Sequence, residues 1–154
     1  MRNHLEAIFD EPDLLQDADE SLPKATTYFA TVTRTGKQWT ATVTDLPGGG
    51  AVQAQGAYWT DVRRNLGSLL LDALKAEPGT VALHLAPADP EAADVLTAVT
   101  EARIARAQAE QAERDAVRHA ARTLIGKSWN TRDAGTVLGL SHQRISQIAP
   151  RATA

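Results

Sequence analysis

The chain has no cysteine, so it can form no disulfide and no Cys-ligated zinc or iron–sulfur centre. Aromatic residues make up only 5% of its 154 residues, which argues against an aromatic-rich core or a carbohydrate groove. No stretch approaches the ~20 consecutive apolar residues that a membrane-spanning helix needs. The first twenty residues are acidic and lack the apolar run of a secretory signal. These absences lead to the expectation of a cytoplasmic chain with no membrane partner.

Recognisable reaction centres are also missing. His4, His84, His119 and His142 are scattered with no ligand spacing between any pair. Gly48-Gly49-Gly50 has neither the lysine nor the following helix of a phosphate-binding loop. No serine sits in a nucleophile elbow. Two-metal phosphoryl chemistry needs several carboxylates converging on a pair of cations. Between residues 27 and 90 only Asp45, Asp61, Asp72, Glu77 and Asp89 are available, none of them inside the first expected strand. No catalytic residue, metal or cofactor is expected, and the protein is read as a non-enzyme.

What is present is unevenly distributed. The net charge of −3 is an average over a chain of changing sign. Residues 1–26 carry seven acidic side chains against two basic ones, and residues 27–90 carry five of each. Residues 116–154 carry six basic side chains against the single acid Asp133, a local charge of +5. A polyanion responds to that local field and not to the chain average.

Pattern divides the chain into segments. Residues 1–26 form an acidic arm dotted with Leu5, Ile8, Phe9, Leu14 and Leu15. Such a composition suits a mobile terminus, or a short amphipathic helix docking on its own chain or on a partner. Residues 27–87 read as a small α+β domain of order β-β-β-α-β. Residues 27–34 alternate, with Tyr28, Ala30 and Val32 on one face, and residues 38–44 alternate around Trp39, Ala41 and Val43. The intervening Thr35-Gly36-Lys37 makes these a hairpin. A third strand is expected at 51–55 and a fourth at 81–85. Between them Trp59, Val62, Leu66, Leu69, Leu70, Ala73 and Leu74 are spaced for one buried helix face, with Pro78-Gly79 as the stop.

Residues 90–128 read as a long helix, opened by Asp89 as cap and Pro90 in the first position. Ala102, Ala105, Ala109, Ala112 and Ala116 recur at 3-4-3-4 spacing, continued backwards by Val99 and Val95. That spacing fits a close helix–helix seam. It fits equally a solitary spacer in which alanine is simply a strong helix former, supported by Arg106, Glu110 and Arg114 at i,i+4. Val117, Ala120, Ala121, Leu124 and Ile125 are expected to supply the first helix of a three-helix bundle over residues 117–150, with Trp129 sealing its core.

The most informative run is TRDAGTVLGLSHQRISQIAP, residues 131–150. Gly135 falls where two short helices would touch, and Gly139 supplies a turn that requires positive φ. Ala134, Leu138, Leu140, Ile145 and Ile148 make one apolar set, and Ser141 is an N-cap. The run reads as a helix-turn-helix whose second helix enters a DNA major groove. Its outward residues His142, Gln143, Arg144, Ser146 and Gln147 carry side chains suited to base edges. With Ser141, and with Lys127 and Arg132 on phosphates, these form the expected DNA-binding set.

The run TDLPGGGAVQAQGAYWTDVRRNLGSLLLDAL, residues 44–74, resembles the HicB antitoxin domain. That family has a hairpin ending in an acidic-Leu-Pro-Gly turn, a strand closing in Gln-Gly, and a helix bearing an Asn. Here these are Asp45-Leu46-Pro47-Gly48, Gln55-Gly56 and Asn65. The glycine-rich connection before Gln55 is longer than in the family. Ala57-Tyr58-Trp59 stands where a polar cap is usual. The resemblance implies a degenerate ribonuclease-H-like domain that masks a small basic mRNA-cleaving toxin, HicA, with a DNA-binding module appended. The expected function is therefore that of a type II antitoxin which represses its own operon by binding a double-stranded DNA operator. It would act as a homodimer or higher homo-oligomer, since one helix-turn-helix reads few base pairs. The alternative is a stand-alone transcriptional regulator whose N-terminal domain dimerises or senses a protein.

Overall fold

The computed structural model describes residues 3–14 and 24–152. Of the expected acidic arm, residues 1–2 and 15–23 lie outside the described residues. The fold is mixed α+β, with a four-stranded sheet and, among the described residues, five helices. The chain divides into two compact units, one of residues 24–100 and one of residues 3–14 with 101–152.

The sheet unit follows the alternation in the sequence. β1 (Thr26–Thr35) and β2 (Gln38–Val43) form a hairpin through Gly36, whose φ of 63° suits a residue without a Cβ. β3 (Val52–Gly56) pairs antiparallel with β2, and β4 (Val81–Pro87) pairs parallel with β1, giving the order β3-β2-β1-β4. α2 (Trp59–Leu74) makes the crossover and covers one face. Ala30, Val32, Ala41, Val43, Ala54 and Leu85 close on Val62 and Leu66 of the helix. Each fully buried Val or Leu contributes about 1.5–3 kcal/mol.

The helix departs from expectation at two points. Leu69 is 44% exposed and Ala73 is exposed, while Val62, Leu66 and Leu70 are fully buried. A helix laid on one sheet buries a single narrow stripe, and Leu69 and Ala73 fall on its flank. The helix also ends before Pro78-Gly79. Lys75 takes a left-handed conformation (φ 51°) and its N–H reaches the carbonyls of Leu71 and Asp72.

The motif residues Gln55, Gly56 and Asn65 form one joint between β3 and α2. A Cβ on Gly56 would lie 2.6 Å from the Val62 nitrogen, so only glycine lets the strand end approach the helix. Asn65 Nδ2 donates to the Gln55 carbonyl at 2.8 Å. No described element covers the opposite sheet face. It carries Thr31, Thr33, Thr40, Thr42, Gln53 and Gln55 with no lysine, arginine or carboxylate among them, and Phe29 packed edge-on against His84.

α3 (Pro90–Gly126) runs 37 residues, about 55 Å at 1.5 Å per residue. Asp89 accepts from the Glu91 N–H at 3.1 Å and opens it as expected. Its residues 90–100 belong to the sheet unit and 101–126 to the helical unit. Ala102, Ala105, Ala109, Ala112 and Ala116 are exposed along the single chain. Arg106 pairs with Glu110 at 2.9 Å, but Arg114 turns inward and is buried. α3 closes through Ser128 (φ 68°), with Ser128 N–H on Ile125 O and Trp129 N–H on Leu124 O.

Candidate nucleic-acid interface

The end of α3, α4 (Thr131–Leu138) and α5 (His142–Ile148) enclose a second core of Ala121, Ala134, Leu140, Ile145 and Ala149. Val117, Leu124, Ile125, Leu138 and Ile148 pack against it. Asn130 caps α4 by accepting from the Asp133 N–H at 2.8 Å, and Ser141 caps α5 by accepting from the Arg144 N–H at 3.2 Å. Between the helices Gly139 has φ 72°. A Cβ on Gly135 would stand 2.5 Å from the Leu140 carbonyl oxygen, so a larger residue there would push the turn off α4. Gly139 and Ser141 thus occupy the roles their spacing implied, while Gly135 meets the turn at Leu140 and not the second helix itself.

The expected contact residues fall in two groups on the helical unit. Ser141 at the cap of α5, and His142, Gln143, Ser146 and Gln147 on it, are exposed. Lys127 lies just past the end of α3 and Arg132 in the first turn of α4, both exposed. Ile145 is fully buried between Arg144 and Ser146, which fixes α5 with its polar residues outward. Seven-residue α5 is too short to persist alone, so this inner anchor holds the outer face in place.

Trp129 departs from its expected role. It is 39% exposed and stands outside the core. Leu5 and Phe9 pack against that core instead, and they come from the other end of the chain.

The acidic arm is where sequence reasoning stopped short. Residues 4–8 form α1 (His4–Ile8), capped by Asn3 and docked on the helical unit with Ile8 only 3% exposed. Asn3 Nδ2 donates to the Gly139 carbonyl at 2.6 Å. Glu6 accepts from the Ser141 N–H at 2.6 Å and from Arg144 Nε at 3.2 Å. Asp10 accepts from a terminal Arg144 nitrogen at 2.9 Å, and the other terminal nitrogen donates to Gln147 at 3.2 Å. The Phe9 ring lies 5.8 Å from the same guanidinium. Arg144 is thus half-buried and fully engaged within the chain, unlike its neighbours on α5.

Arg114 ties the following residues down. It donates to the carbonyls of Ile8 at 2.8 Å and Pro12 at 3.4 Å. Its Nε lies 3.3 Å from Asp13 as an ion pair without hydrogen-bond alignment. Asp13 also accepts from Arg118 at 3.0 Å.

These partners set the local ionisation. The Ser141 backbone N–H, helped by Arg144, holds the Glu6 carboxyl below its usual range despite burial. Arg118 does the same for Asp13. For Arg144 burial works against the charge, but Glu6 and Asp10 outweigh it and its affinity for the proton rises. A signal for this docking exists in the sequence. Glu6 and Asp10 stand four apart, and the acidic arm matches the +5 tail in charge. Nothing in the spacing alone chooses that tail over a separate basic partner.

Among the described residues no group of three or more His, Asp or Glu is placed to hold a metal ion. No described helix is long and apolar enough to cross a membrane. Comparison with known proteins finds no matching family model, curated protein or solved structure.

Proposed function

We propose that the helical unit is a helix-turn-helix reader of double-stranded DNA, with α5 as its recognition helix. The observation that carries this reading is the face of α5. Four hydrogen-bonding side chains, His142, Gln143, Ser146 and Gln147, stand exposed on a helix anchored by fully buried Ile145. Glutamine can bond an adenine edge at two points and serine can bond either kind of edge. Lys127 and Arg132, exposed on the flanking elements, suit phosphates. The close approach at Gly135 and the left-handed turn at Gly139 support the same motif.

We further propose that the protein is a non-enzymatic antitoxin and repressor of its own operon. The sheet unit, through its resemblance to the HicB domain, would mask a small basic toxin. The β-β-β-α-β order and the Gln55-Gly56-Asn65 joint support that resemblance. A homodimer would place two α5 helices on a palindrome with half-sites about 34 Å apart, and the exposed alanines of α3 offer one surface for it. The second reading, a stand-alone regulator, shares the DNA reader and differs only in lacking a toxin.

The test selects bound duplexes from a random pool with the full chain, then measures variants on the selected sequence. Gln143→Ala and Gln147→Ala should each remove about 1–3 kcal/mol of base discrimination. Lys127→Ala or Arg132→Ala should weaken all sequences alike and reduce the salt slope by about 1. Unchanged specificity in the double glutamine variant would remove α5 as the reader. Co-expression of the full chain with the small basic protein encoded beside it separates the two readings. Rescue of growth and co-purification support the antitoxin; a harmless neighbour that does not bind supports the lone regulator.

A further inference from the structure

We infer that the acidic N-terminal arm is an intramolecular competitor for DNA, which holds Arg144 of α5 away from the duplex until the arm is displaced. The inference rests on the DNA-reading function proposed above and names how that site is regulated.

Arg144 is the only lysine or arginine on α5 and the side chain best suited to a bidentate contact with guanine. Its guanidinium is nevertheless spent inside the chain, on Glu6, Asp10 and Gln147, with the Phe9 ring beside it. Glu6 and Asp10 present carboxylate oxygens to this cation as a phosphate or a base edge would. The arm therefore offers Arg144 the kind of partner that DNA offers, at the same place.

Two features make this a poised contact and not simply part of the core. The contacts to Arg144 and Ser141 come from exposed or part-buried side chains, so water and salt reach them. The buried anchors, Ile8 and Arg114, join the arm to α3, where Arg114 donates to the Ile8 carbonyl, and this bond does not involve Arg144. The arm can thus give up Arg144 while Ile8 remains seated. An acidic segment over a cationic reader also repels the polyanion before contact, which lowers the encounter rate.

The experiment compares the full chain with E6Q/D10N, which keeps the arm's shape and removes both carboxylates facing Arg144. E11Q serves as control: it removes a charge from the same arm, at exposed Glu11, and leaves the Glu6 and Asp10 bonds to Arg144 in place. The probe is a labelled random-sequence duplex of three helical turns, about 30 base pairs, read by fluorescence anisotropy across a salt series. Thermal unfolding of each variant verifies that the bundle is retained.

E6Q/D10N should bind about tenfold more tightly than the parent, with a salt slope steeper by about 1 as Arg144 reaches a phosphate or base. E11Q should change affinity by less than about twofold, as expected for one distant screened charge. In an Arg144→Ala background the gain from E6Q/D10N should shrink to that of E11Q, because the competed group is gone. If the parent binds duplex and E6Q/D10N binds no better than E11Q, the arm does not compete, and the DNA reading stands without it. If no variant binds duplex, the DNA reading falls and takes the competition with it.

Discussion

The two units are held together by different chemistry. In the sheet unit the glue is apolar, and the ion pair found among its described residues is Arg64–Asp61, one helical turn apart on the surface. In the helical unit, small alanines and isoleucine make a thinner core, and charged contacts span the sequence. Arg144 meets Glu6 and Asp10, and Arg114 and Arg118 meet Asp13. The difference teaches that a small core can order a chain terminus when charge brings the terminus to it. It also locates responsiveness. Salt and acid act on the second kind of contact far more than on the first.

The largest expected effects lie in the two cores. Leu66→Ala and Ile145→Ala each remove a side chain that is fully buried. Each should cost about 2–5 kcal/mol, read as a drop in the denaturant midpoint. The comparison sharpens if the loss at Leu66 is insensitive to salt while the Ile145 variant loses further stability as salt rises. Equal salt response in both would erase the distinction between the units.

Glycine gives the next scale. Gly56→Ala and Gly135→Ala place a Cβ within 2.6 Å and 2.5 Å of backbone atoms, one in each unit. Overpacking of this kind should cost about 1–3 kcal/mol. Gly67, in the middle of α2, has nothing within 4 Å of its would-be Cβ. Gly67→Ala should therefore stabilise the sheet unit by about 0.5–1 kcal/mol. A destabilising Gly67→Ala would show that α2 packs more tightly on that side than described.

Acid produces the smallest effect and separates the units by pH. Glu6 has a folded-state pKa below its ordinary value of 4.5. Its stabilising contribution is therefore complete above pH 4.5 and is lost as pH falls through the lower folded value. Amide exchange should show α1 loosening below pH 4.5 before the sheet unit responds. Simultaneous loosening of β1 and α1 would contradict that order.

Legibility followed the same division. The hairpin and the face buried by β1 and β2 could be read from alternation, because a sheet with one covered face writes its burial with period two. α2 could be read from its helical spacing, apart from Leu69 and Ala73 on its flank. Gly135, Gly139 and Ser141 could be read because backbone geometry admits few residues at those positions. Trp129 could not. A lone large apolar residue after a long helix looks like a core seal, yet Trp129 lines a surface cleft with Asp133, Thr136 and Val137, and Phe9 and Leu5 from a distant part of the chain pack against the core. The docking of Glu6 and Asp10 was hidden for a related reason. Charge complementarity indicates that an acidic arm will find a cation, but it does not say which one.

The central claim is that one unit reads DNA through α5 and the other does not. Backbone amide shifts of the full chain, recorded as the selected duplex is added, test it directly. The account predicts that the largest changes fall on Ser141–Gln147, with smaller ones at Lys127, Arg132 and the residues of α1 that release Arg144. The uncharged sheet face of Thr31, Thr42 and Gln53 should stay unmoved. Changes concentrated on that sheet face, with α5 silent, would contradict the account.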